Sequence, residues 1–159
     1  MDKLDHIKLL VLDVDGTMTD AGVYITEKGE QFKKFNARDG IGIKQALKNG
    51  IEVGIISHSL VTEMVNIRAN MLGMKYYYIG QRPKLEVLEG WLRDLKISKE
   101  QVAFIGDDIN DLEIIEAVGY SACPSDGVDA VKKKVNVVLE KKGGEGCVRE
   151  FIDAYLLGL

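Results

Sequence analysis

Short, wholly apolar runs alternate along this chain with segments in which apolar residues recur every three or four positions. The first pattern suits strands buried on both faces, and the second suits helices packed along one side. Strands are predicted over residues 7–12, IEVGIIS (51–57), YYYIG (76–80), VAFIGDD (102–108), YSACP (120–124) and VNVVLE (135–140). Helical periodicity covers IGIKQALKNG (41–50), with Asp39 as its cap and Gly50 as its stop, and VTEMVNIRANMLG (61–73), closed by Gly73. It recurs in KLEVLEGWLRDL (84–95) behind Pro83, in NDLEIIEAVG (110–119), in VDAVKKK (128–134) opened by Asp126, and in REFIDAYLL (149–157). Ser98 and Gln101 have the spacing of a capping box. GVYITEKGEQFKKF (22–35) reads as a hairpin turning around Gly29.

Strands alternating with helices predict an α/β fold: a mostly parallel sheet with helices on both faces, three layers in all, carrying one hairpin flap. At 159 residues the chain has the length of one domain, 1–159, with no repeat or linker. The net charge of −4 argues against a nucleic-acid partner, which needs a basic face. No apolar run reaches the ~20 residues of a membrane span, and MDKLDHIKLL is too short and too charged for a signal peptide. Cys123 and Cys147 form no CxxC pair and read as free thiols. A cytoplasmic protein without a membrane partner is the resulting expectation.

The candidate chemistry lies where strands end. LLVL runs directly into Asp13, Val14, Asp15 and Gly16, and VAFIG runs into Asp107 and Asp108 with Asp111 close behind. Ligands of open α/β sheets gather at the carboxyl ends of the strands, so these carboxylates and Ser57 converge. Crowded carboxylates repel unless a cation lies between them, and an all-oxygen set favours Mg²⁺ beside a phosphate. Asp13 then suits a nucleophile that takes up a phosphoryl group, and Asp15 an acid/base two residues away. Ser57 offers a hydroxyl and Lys84 an ammonium to the charge of the transferring group.

DVDGTMTD (13–20), Ser57 after an apolar strand, Lys84 and GDDINDLE (106–113) together resemble, in order, the four motifs of the haloacid dehalogenase superfamily of phosphohydrolases. The resemblance implies Asp13 as nucleophile and metal ligand, and Asp15 as acid/base with its carbonyl on Mg²⁺. It implies Ser57 and Lys84 as phosphate contacts and Asp107 as the second metal carboxylate. Asp108 and Asp111 fall behind that layer, and neither gap between motifs has room for a cap domain. KFNARDGIGIKQAL (34–47) and KKGGEGCVREF (141–151) are similar to the capless phosphatases of 3-deoxy-octulosonate 8-phosphate and related nonulosonate 9-phosphates. This narrower likeness implies an anionic sugar phosphate as substrate and a homotetramer in which a neighbouring subunit or the tail closes the site. It also implies substrate contacts in the Asn36, Arg38, Asp39, Gly40 and Arg68 region, with Arg149 a further cation.

The chain departs from the family pattern at SHSL (57–60), where His58 takes a position commonly held by glycine, and the stretch from Ser57 to Arg68 is one residue longer. These changes bear on the sugar rather than on phosphoryl transfer. Two other readings stay open: a broad sugar phosphatase or phosphotransferase of the same superfamily, and a subunit that keeps the fold without catalysis. At the level of single residues, Ser57 also reads as a plain strand end and Lys84 as a solvated helix lysine.

Overall fold

The computed structural model describes residues 3–159. A six-stranded, all-parallel sheet runs in the order β5-β4-β1-β6-β7-β8, from β1 (Leu9–Leu12), β4 (Glu52–Ser57), β5 (Tyr76–Ile79), β6 (Val102–Ile105), β7 (Tyr120–Cys123) and β8 (Val137–Val138). A separate antiparallel pair, β2 (Tyr24–Ile25) and β3 (Gln31–Phe32), forms the expected hairpin, with Tyr24 stacked on Phe32. Among the described residues no cap domain is inserted.

Alternation along β1 divides the core in two. Leu10 and Leu12 face a cluster built with Ile43, Val65 and Phe151, whereas Leu9 and Val11 face one built with Val87, Leu88, Phe104 and Ile114. The first layer holds α1 (Ala37–Lys48), α2 (Glu63–Leu72) and α6 (Cys147–Phe151, running on as a wider helical turn over Ile152–Leu157). The second holds α3 (Lys84–Leu95), α4 (Leu112–Ala117) and α5 (Asp129–Lys132). All four β1 residues are fully buried, as a central strand covered on both faces requires.

Three local expectations are corrected. Asn36, not Asp39, caps α1, its side chain accepting from the Arg38 amide at 2.8 Å, and Asp39 lies inside the first turn. Asp126 does not open α5, which starts after Val128; its carboxylate instead accepts from the Gly143 amide at 2.9 Å. The last strand shrinks to Val137–Val138 at the sheet edge.

The strand order also locates the site. After β1 the chain moves outward through β4 and β5, then returns to the other side of β1 with β6. The crevice opens where the winding reverses, between the carboxyl ends of β1 and β6. In-register pairing of Leu12 with Ile105 brings Asp13 and Asp107 to that crevice, and the Asp13 amide bonds the Ile105 carbonyl at 3.0 Å.

Candidate active site

Asp13, Asp15, Ser57 and Asp107 line one cavity of about 270 Å³, together with Ala21, His58, Ser59, Asp108 and Asn110. Carboxylate oxygens of Asp13, Asp107 and Asp111 all lie within 4.8 Å of one another. Lys84, 3% exposed, sends its ammonium into this cluster, 2.5 Å from Asp13 Oδ1 and 2.6 Å from Asp111 Oδ1. Two of its three N–H donors are thereby engaged, which leaves one for an incoming anion.

Asp111 is satisfied on both oxygens. Oδ1 accepts from Lys84, and Oδ2 accepts from the Asp107 and Asp108 amides at 3.0 and 3.4 Å. It therefore shapes the loop and holds the lysine, and Asp13 and Asp107 are left with carboxylate capacity for a cation. Sequence reasoning set Asp111 behind the metal layer but missed its bond to Lys84. No spacing rule links residues 27 positions apart on different elements.

The electrostatics carry the same message. Burial, with the charge of Asp111 added, pushes the Asp13 carboxyl up from 3.8 to about 6 despite the Lys84 ammonium. Burial and the charges of Asp13 and Asp111 push Asp107 up from 3.8 to about 8. For Lys84 burial alone works downward, but the Asp13 and Asp111 charges and hydrogen bonds outweigh it, and the net shift is upward. Three close carboxylates facing one ammonium are short of positive charge, and a hard divalent cation fits that deficit. Gly16 permits the arrangement: at φ +87° it makes the turn after Asp15, and any Cβ there would overlap the Asp107 carboxylate.

Asp15 points outward, its side chain 48% exposed, and pairs with Lys33 of the hairpin at 2.5 Å. Ser57 is buried and its hydroxyl accepts from the Ser59 amide at 3.1 Å. A second cavity of about 350 Å³ adjoins the first, sharing Asp15, Ala21 and Ser59, with Val23, Tyr24, Phe32, Leu60, Val61 and Lys33 among its walls. Lys33 was not anticipated from the sequence, because only the folded hairpin carries it back over Asp15.

The other sequence candidates sit elsewhere. Asn36 Nδ2 donates to the Gly144 carbonyl at 3.1 Å, and Arg68 donates to the Asn36 carbonyl at 3.2 Å while lying over the Phe35 ring. Asp39 is buried and accepts from the Arg149 amide at 2.8 Å, and Gly40 packs against Arg68. Arg38 is exposed at the start of α1, and the Arg149 guanidinium bonds Asp153. None of these six lines either cavity. The 143–146 loop lies on its own chain's turn after β1, where Gly143 is tight against the Gly16 carbonyl and the Gly144 amide donates to that of Thr17 at 3.0 Å.

Comparison with known proteins places this geometry. The sequence profile of the haloacid dehalogenase-like hydrolases matches residues 81–152. The 3-deoxy-D-manno-octulosonate 8-phosphate phosphatase of Salmonella typhi is 40% identical over 157 residues, which span 99% of this chain and 83% of that protein. The chain belongs to the haloacid dehalogenase-like hydrolases, in the group of these phosphatases. Two solved structures of the group superpose closely. The cobalt-bound Haemophilus influenzae deoxy-D-mannose-octulosonate 8-phosphate phosphatase has a TM-score of 0.90 at 35% identity, covering 96% of this chain and 89% of that one. The Moraxella catarrhalis 3-deoxy-D-manno-octulosonate 8-phosphate phosphatase, solved with a magnesium ion, a phosphate ion and a KDO molecule, has a TM-score of 0.90 at 33% identity, covering 94% and 86%. The fold and phosphatase class expected from the motifs hold.

Proposed function

We propose that this hydrolase is a Mg²⁺-dependent phosphomonoesterase acting on a 3-deoxy-2-ulosonic acid phosphate, with 3-deoxy-D-manno-octulosonate 8-phosphate the first substrate to test. The observation that carries this reading is the meeting of Asp13, Asp107 and Lys84 at the mouths of two adjacent parallel strands. Likeness to the Salmonella typhi enzyme over almost the whole chain supports the choice of sugar.

Asp13, Asp107 and the backbone carbonyl of Asp15 are the groups that would hold Mg²⁺. The bound ion supplies Lewis acidity and neutralises charge on the phosphoryl oxygens. Lys84 and the Ser57 hydroxyl bind the remaining phosphate oxygens, and Asp108 and Asn110 line the same cavity. The Asp13 carboxylate attacks phosphorus and forms an acyl phosphate while the P–O bond to the sugar breaks. Asp15, protonated, gives its proton to the departing sugar oxygen. As a carboxylate it then takes a proton from the water that attacks phosphorus, which releases phosphate and restores Asp13. The exposed side of Asp15 suits a group that meets first a leaving alcohol and then water.

The sugar occupies the adjoining cavity between the hairpin and residues 59–61, where Lys33 in the wall supplies positive charge. Val23, Ile25, Phe32, Leu60, Ile67 and Met71 are exposed on the hairpin, the 57–62 loop and α2. Such a patch supports association of copies, as the homotetramer with shared sites requires. The chain acts as one domain in the cytoplasm; no helix among the described residues is long and apolar enough to cross a membrane.

A panel of ulosonate and hexose phosphates, assayed with Mg²⁺ and then with a chelator, tests the reading. Preferential, metal-dependent hydrolysis of the octulosonate phosphate is expected, with Asp13→Asn folded and inactive. Equal rates on hexose phosphates would sink the assigned sugar, and full activity in Asp13→Asn would sink the covalent route. Light scattering should give four copies, and a stable monomer would remove the shared site.

A further inference from the structure

His58 has no part in the chemistry above, yet it lines the catalytic cavity beside Ser57. Its ring Nε2 lies 2.9 Å from the Arg82 carbonyl, and its own carbonyl accepts from Gln81 Nε2 at 3.0 Å. A carbonyl only accepts, so Nε2 carries the ring proton and donates it. One residue earlier, the Ser57 carbonyl accepts from the Gly80 amide at 3.0 Å. Residues 80–83 have no regular structure, and Pro83 brings no amide proton. The bonds that hold this turn are the Gly80 amide on the end of β4, the two that His58 shares with Gln81 and Arg82, the Arg82 amide on the Tyr78 hydroxyl at 3.1 Å, and the Arg82 guanidinium on Glu86 at 2.9 Å.

The turn leads directly into Lys84, the first residue of α3. The ammonium of that side chain is held between Asp13 and Asp111, but its root moves with the turn. We propose that His58 is a positioning residue for Lys84: its reciprocal clasp with Gln81 and Arg82 fixes the 80–83 turn against β4, and so sets where the ammonium meets a phosphate. The inference rests on the phosphate-binding role of Lys84 given above. Phosphate recognition depends on placement to a fraction of an ångström, so slack at the root shows as lost anion affinity. The turn itself is largely exposed, and water can replace a hydrogen bond lost there, so global stability barely registers the change.

The test uses the full chain with Mg²⁺ and inorganic phosphate as the probe, comparing wild type, His58→Ala, His58→Gln and Gln81→Ala. One hydrogen bond of ordinary strength corresponds to roughly a fivefold change. Inhibition by phosphate should therefore weaken about fivefold in His58→Ala, with KM rising alongside and the melting temperature within about 2 °C of wild type. His58→Gln, whose amide N–H reaches the same carbonyl, should recover phosphate affinity to within about twofold, and Gln81→Ala should fall between. Nitrogen NMR of the neutral ring should show the Nε2–H tautomer in His58. Wild-type phosphate affinity in His58→Ala, equal impairment in His58→Gln, or an Nδ1–H ring would each overturn the proposal. A wild-type protein that neither binds phosphate nor hydrolyses any ester overturns the functional reading and the positioning role with it. The tautomer separates that result from failure of the clasp alone.

Discussion

Asp39 offers a measurable consequence of burial. It is 2% exposed, with one oxygen accepting from the Arg149 amide and the other, Oδ2, buried without a hydrogen-bond partner. Burial raises its carboxyl from 3.8 to about 6, against the pull of the Arg149 amide and of the Arg68 and Lys141 charges. The folded protein thus binds this proton more tightly than the unfolded chain. Stability falls as pH rises from 3.8 to about 6 and stays lower above that window. A shift of this size corresponds to about 3 kcal/mol at neutral pH. Asp39→Asn keeps an acceptor for the Arg149 amide and abolishes the charge. Urea denaturation across pH should show the variant more stable by about 3 kcal/mol at pH 7 to 8, converging with wild type by about pH 4. A difference that does not vary with pH, or a variant less stable at high pH, would refute the argument. Turnover of the same variant is a separate readout: retained activity makes Asp39 a joint between α1 and α6, and lost activity with intact stability makes it a substrate contact.

Two further variants probe the carboxylate cluster. Lys84→Met leaves Asp13 and Asp111 buried without their cation, so the metal-free protein should lose about 3–5 kcal/mol in urea unfolding; a loss under about 1 kcal/mol would show the pair to be well solvated. Gly16→Ala places a Cβ in a left-handed turn against the Asp107 carboxylate and should weaken Mg²⁺ binding at least about tenfold by calorimetric titration. An unchanged Kd would remove Asp107 from the metal site.

Much of this protein is written locally. The run LLVL ending in Asp13 and the run VAFI ending in Gly106 and Asp107 specify buried parallel strands with carboxylates at their mouths, because a strand buried on both faces must be apolar throughout and its functional groups must wait until it ends. Ser98 with Gln101, and Gly73 at φ +77°, also behave as their neighbours dictate, since caps and left-handed stops are satisfied within a few residues. Local signals are weaker where tertiary contacts intervene: the expected cap Asp39 is drawn into the first turn and buried against α6, and Asn36 caps α1 instead.

Tertiary structure alone decided the rest. The winding order of the sheet brings β6 beside β1, and hence Asp107 beside Asp13. Packing of α3 carries Lys84 between Asp13 and Asp111, the hairpin returns Lys33 to Asp15, and the 80–83 turn meets His58. Each of these pairs joins side chains from different elements, and neither partner's local sequence records the other. A pattern of period two or 3.6 tells a residue which way to face, and only the closed fold tells it what it will touch.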